Sequence, residues 1–232
     1  MDLNIVQVIA VYAIPVILAI TLHEAAHGYV AMRFGDMTAY AAGRVSLNPI
    51  RHIDPVGTVA LPLALLALTK LIGGGGMLFG WAKPVPVNFA NLRRPKQDML
   101  WVAAAGPLSN LAMALLWATV LKIGLAAPDT YFSLPLALMG AAGVFINVIF
   151  MVLNLLPLPP LDGGRVLVSL LPARLARSVA RIEPYGFIIL IALLFTEVLG
   201  RILWPVIALA MSLIAGAFGV PVGQLVRLAQ LA

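Results

Sequence analysis

The sequence predicts an all-α integral membrane protein: a helical bundle of five to six transmembrane segments, with a short membrane-associated β-strand or re-entrant region between the first two motif-bearing helices. Three observations carry this. Apolar residues make up 62% of the 232 and charged ones only 10%, for a mean hydropathy of +1.03, which is too apolar for a soluble globule. The apolar residues gather into runs long enough to cross a hydrocarbon core of roughly 30 Å. Between the first two runs lies a glycine- and proline-rich stretch that a lipid-facing helix could not contain.

Residues 5–33 are predicted to form the first helix, too long and too charged at its far end for a cleaved signal peptide. From Phe34 to Pro55 the chain is polar and turn-rich. Within it, Gly43-Arg44-Val45-Ser46-Leu47-Asn48 alternates as a short strand would, and Asp54-Pro55 reads as a helix start. Val56 to Ile72 is apolar but ends in Gly73-Gly74-Gly75-Gly76 and is followed by Gly80 to Asn88. The region 38–90 is therefore expected to re-enter the membrane rather than span it. Helices over 99–121 and 134–156 come next, the latter continuing through its turn to 165 as one core element, and accessory helices over 184–198 and 202–220 complete the chain. With no internal repeat, residues 1–232 read as a single membrane-embedded domain.

A net charge of +6 and a pI near 10.1 do not indicate nucleic acid, because Lys and Arg lie between apolar runs and form no continuous stripe. They report orientation instead. If residues 56–72 re-enter, every Lys and Arg except Lys122 and Arg201 shares one side, whereas a sixth crossing would divide them more evenly. The positive-inside rule then predicts an outside N-terminus and a cytoplasmic basic face in the cell (plasma) membrane. Arg174, Arg177 and Arg181 fit anchoring at that face, and Trp81, Trp101, Trp117 and Trp204 fit interface or packing roles.

Function is written in Thr21-Leu22-His23-Glu24-Ala25-Ala26-His27-Gly28. On a helix, i and i+4 stand one above the other, so His23 and His27 can share a metal ion while Glu24, one residue round, reaches a water beside it. Ionisable groups at membrane depth are costly unless they are partnered or face a cavity. The position of His23, about 27 Å along the helix from Ile5 at 1.5 Å per residue, puts the site near one membrane face. The chain has no cysteine, so zinc here must be held by nitrogen and oxygen.

A catalytic zinc needs a third protein ligand, and the candidates are His52 and the carboxylates. Asp2, Asp129 and Glu197 lie towards the opposite face in this topology. Asp36, Asp54 and Asp98 sit in polar segments where solvation would suffice, and charge pairing accounts for Glu183. Asp162 remains, in Asn154-Leu155-Leu156-Pro157-Leu158-Pro159-Pro160-Leu161-Asp162-Gly163-Gly164, on the same face as the two histidines. A carboxylate at the end of an apolar span, held by a proline-stiffened turn, needs a partner that zinc would supply. The alternative is a helix N-cap for the segment from Gly163. His52 is expected to be a solvated loop histidine, with a gating or regulatory-metal role as the alternative.

These residues resemble the site-2 proteases, intramembrane zinc metalloproteases, in their compact branch without a PDZ domain. Three motifs carry the likeness: His23-Glu24-Ala25-Ala26-His27, Gly106-Pro107-Leu108-Ser109-Asn110, and Asn154 to Asp162-Gly163, with Arg51 to Thr58 and Gly80 to Asn88 also similar. The resemblance implies hydrolysis of a peptide bond within or near the transmembrane segment of a membrane-protein substrate. One Zn2+ would be held by His23, His27 and Asp162, with Glu24 as general base. It also implies a substrate-binding role for Asn154. An amide from Asn110 or Asn154 would assist an oxyanion, although Asn110 can equally hydrogen-bond between helices. Substrates should carry helix breakers, and the strand-like Gly43–Asn48 or Val85–Phe89 offers an edge for an unwound segment. Partners would then be a transmembrane substrate and the lipid bilayer, with no nucleic acid. Rival readings are a metal-binding or transport protein and a non-catalytic homologue that binds transmembrane helices without cutting them.

Overall fold

The computed structural model describes residues 3–60, 64, 83–127 and 130–231. Among these are nine α-helices: α1 (Ile5–Arg33), α2 (Thr38–Ala41), α3 (Pro95–Ala126), α4 (Ser133–Asn154), α5 (Asp162–Leu170), α6 (Ala173–Ala180), α7 (Glu183–Phe195), α8 (Val198–Phe218) and α9 (Val222–Leu231). Helix α1 starts with a reciprocal cap. The Asn4 side chain accepts from the Gln7 amide, and the Gln7 side chain accepts from the Asn4 amide.

Helices α1, α3, α4 and α8 are long and apolar enough to cross a membrane. The span expected over 184–198 corresponds to α7 and is bent. Helix α7 has 13 residues, about 20 Å at 1.5 Å each, which falls short of a roughly 30 Å core. It reaches spanning length only when joined to α6 across a 59° bend, giving four or five spans in all among the described residues.

The centre of the bundle is the packing of α3 on α4, joined by a short connection and brought close by small residues. Gly143 lies under the Trp117 indole, and a Cβ there would stand only 2.7 Å from Trp117 Cδ1. On the far side, Leu199, Leu203, Ile207, Met211 and Ile214 repeat every three or four residues and bury one face of α8 against this pair. Helix α9 closes that side and is tied to α1 by the Tyr12 hydroxyl, which donates to the Ala229 carbonyl at 2.8 Å.

The ends of α1 and α3 meet. The Arg93 amide donates to the Phe34 carbonyl at 3.0 Å, so the chain leaves α1 and enters α3 at one end of the bundle. The path of most of residues 56–72, and the stretches Gly73–Gly76 and Gly80–Ala82, lie outside the described residues.

The strand expected at Gly43–Asn48 is not formed. Gly43 has φ +64° and turns the chain away from α2, and Asn48 accepts from the Ile50 amide to open a 3-10 turn over Pro49–His52. Residues 83–88 form no regular element, and their bonded amides reach side chains and one isolated carbonyl rather than a ladder. Six alternating residues were too short a signal to outweigh these turn formers. Asp54 does start the next turn, accepting from the amides of Val56 and Gly57.

Three polar residues expected to be solvated are buried. Asp36 has no exposed surface and accepts from the Thr38 amide and hydroxyl, the Asn88 amide and the Asn91 side chain. Asp98, at 2% exposure, accepts from the Arg94 amide at the start of α3. His52, at 1%, has Nε2 2.8 Å from the Ser46 carbonyl.

Candidate metal centre

His23 and His27 stand one turn apart near the C-terminal end of α1, and Asp162 is the first residue of α5. Folding brings all three together: His23 Nε2 lies 3.2 Å from Asp162 Oδ2, His27 Nε2 lies 3.3 Å from the same oxygen, and the two Nε2 atoms are 3.1 Å apart. Asp162 does not cap α5. Leu161 occupies the N-cap position, and the carboxylate points at the histidines instead.

The groups behind the imidazoles set their protonation. Asn110 Oδ1 is 2.6 Å from His23 Nδ1, and the Val102 carbonyl is 2.7 Å from His27 Nδ1. A carbonyl-type oxygen can only accept, so each Nδ1 carries hydrogen and each Nε2 presents a lone pair in the neutral ring. Two such lone pairs and a carboxylate oxygen therefore face one another. Asp162 Oδ2 is buried and has no hydrogen-bond partner. Such a set repels itself unless a cation sits at its centre.

Zinc fits. Tetrahedral ligands about 2.0–2.1 Å from zinc stand about 3.3 Å apart, close to the three observed separations. The chemistry is that of a hydrolytic site, two imidazoles and one carboxylate. Among the described residues this is the one group of three or more metal-ligating side chains that could hold an ion. Gly106 of α3 explains how the neighbouring helix approaches so closely: a Cβ there would stand 2.6 Å from His23 Nε2 and displace the imidazoles.

Asn110, one turn beyond Gly106, is fully buried. Its amide hydrogens go to the Ala19 carbonyl and to Asn147 Oδ1, at 3.3 and 3.0 Å. Asn147 in turn donates to the Gly143 carbonyl. This is the inter-helix arrangement, with the oxygen holding His23. Asn154 ends α4, is half-buried, and donates to the Phe150 carbonyl at 3.0 Å. Glu183 pairs with Arg165 at 3.7 Å.

Glu24 Oε2 accepts from the Val85 amide at 2.8 Å, which ties the carboxylate to segment 83–88. Val85 also packs on Gly28, where a Cβ would lie 3.1 Å from Val85 Cγ1. An amide carries no residue-type signature, so the contact has no direct mark in the sequence. Gly28 was the clue, a glycine inside an apolar helix.

The chain resembles known proteins over most of its length. Residues 122–196 match the model for peptidase family M50. Over 201 residues the chain is 38% identical to "Putative zinc metalloprotease YwhC" of Bacillus subtilis strain 168, covering 84% of each protein. It is 30% identical over 185 residues to "Putative zinc metalloprotease Rip2" of Mycolicibacterium smegmatis, covering 80% of this chain and 66% of that one. The Rip2 protein of Mycobacterium tuberculosis strain H37Rv is 33% identical over 187 residues, with 79% and 66% covered. No solved structure matches significantly.

Proposed function

The chain belongs to peptidase family M50, the site-2 protease family of zinc metalloproteases, and on that premise we propose that it cleaves the transmembrane segment of a membrane-protein substrate with Glu24 as general base. The observation that supports this most is the convergence of His23 Nε2 and His27 Nε2, on a helix long and apolar enough to cross a membrane, with Asp162 Oδ2.

In this reading His23, His27 and Asp162 hold one zinc ion. Bound there, zinc supplies Lewis acidity, bringing the pKa of a water to near 7 and polarising the scissile carbonyl. Asn110 and the Val102 carbonyl keep both imidazoles in the tautomer that can ligate. Glu24 accepts the proton of the attacking water and returns it to the leaving amine. The water adds across the peptide bond, the C–N bond breaks, and a carboxylate and an amine remain. Asn154, at the end of α4, is assigned to substrate binding. A substrate helix must unwind locally before its carbonyl is accessible, so susceptible segments carry helix breakers.

The charge distribution supports an active-site end facing the cytoplasm across the cell membrane, because Arg33, Arg93, Arg94, Lys96 and Arg165 all cluster there. The test is cleavage of breaker-containing transmembrane peptides in liposomes. Glu24→Gln should lower the rate by about 10²–10⁴-fold at unchanged zinc content. Equal cleavage by both proteins would overturn the assignment of Glu24. A protein that retains zinc, never cuts, and moves metal across the bilayer would favour the transport reading.

A further inference from the structure

Resting on the protease reading, we infer that segment 83–88 is a strap that aligns Glu24, and that His52 is the positioning residue that anchors it. A glutamate has three side-chain torsions, and as a general base it must present one oxygen in one direction. The Val85 amide holds Oε2 at 2.8 Å, which fixes the carboxylate plane and leaves Oε1 for a water.

The amide can do this only if the strap itself is fixed, and the fold holds it on both sides of Val85. Upstream, the Lys83 amide donates to the His52 carbonyl at 2.9 Å. Downstream, the Asn88 amide donates to Asp36 Oδ2 at 2.7 Å. Pro84 and Pro86 flank Val85, stiffen the strap at φ near −65°, and remove amides that would otherwise need partners. Val85 seats against Gly28 of α1, one turn beyond Glu24, so backbone and side chain are registered to the helix that carries the base.

His52 closes the upstream anchor. It is buried, its Nε2 is 2.8 Å from the Ser46 carbonyl, and its own carbonyl receives Lys83. With Ser46 O accepting, the ring donates from Nε2, while Nδ1 is buried without a partner. A buried nitrogen left unsatisfied is costly, and apolar residues of similar size would avoid that cost. What the ring provides is the donor that fixes residue 52, and through it Lys83, Val85 and Glu24.

The experiment compares His52→Leu and His52→Gln with wild type, measuring zinc content, kcat and KM for transmembrane-peptide cleavage, and hydrogen exchange of the Lys83 and Val85 amides. Gln places an N–H near the position of the imidazole Nε2, whereas Leu has none. His52→Leu should keep its zinc, lose about tenfold or more in kcat with KM little changed, and exchange the Lys83 and Val85 amides at least tenfold faster. His52→Gln should recover most of both effects. The inference is overturned if His52→Leu cleaves as fast as or faster than wild type, if it loses zinc, if Gln rescues neither effect, or if the two amides stay protected. Should wild type itself cut nothing, the protease reading fails, and the exchange data still decide whether His52 anchors the strap.

Discussion

Two carboxylates at the same end of the bundle, one buried and one half-buried, have opposite surroundings. Asp36 sits in the loop after α1 with two amides, a hydroxyl and a carboxamide all donating to it. Asp162 sits at the start of α5 facing two imidazole lone pairs, with Oδ2 unpartnered. A carboxylate met by donors is complete and serves the fold. One met by acceptors requires a cation and serves chemistry. Burial alone does not separate them, since Asp36 is the more deeply buried.

The sharpest way to break this contrast is to crowd the metal side alone. Gly106→Ala places a methyl 2.6 Å from His23 Nε2, and zinc affinity should fall by at least about 100-fold while the helical fold persists. Metal titration of purified protein reads this directly, and wild-type affinity would mean that the ligands do not meet beside Gly106.

A smaller loss is expected one layer out. Asn110→Ala removes the oxygen that holds His23 Nδ1, and zinc affinity should fall by about 10- to 100-fold. If Asn110 instead served an oxyanion, affinity would stay constant and only kcat would fall.

The donor-satisfied carboxylate should behave differently. Asp36→Asn keeps the shape but removes the charge, so stability should drop by about 1–3 kcal/mol in thermal unfolding, with zinc still bound. Its pH dependence has a definite sign. Burial alone would raise the Asp36 carboxyl, but hydrogen bonds from Thr38, Asn88 and Asn91 outweigh it and hold the folded-state value below the ordinary range. The unfolded chain then binds the proton first. The contribution is complete above about pH 4 and is lost as pH falls through the folded value, a dependence that Asp36→Asn should flatten.

The two acids also show what a sequence can and cannot carry. His23 and His27 were legible because helical spacing alone stacks them, and Asp162 because topology placed its turn on their face. The first helix was legible to the residue, since its apolar run has a capped start and a basic end. Asp36, Asp98 and His52 were misread because they lie in polar stretches, where composition cannot tell a solvated loop from one folded back onto a helix end. Helix α7 was legible as an apolar element, but the 59° bend that joins it to α6 was not, because hydropathy does not register chain direction. The Val85 amide was invisible for a simpler reason, since every residue but proline has one.

Zinc per chain in purified wild-type protein, Asp162→Asn and Asp36→Asn reads whether His23, His27 and Asp162 together hold one zinc ion. Near-stoichiometric zinc in wild type and Asp36→Asn, with little in Asp162→Asn, is the predicted result. Full zinc in Asp162→Asn would contradict it.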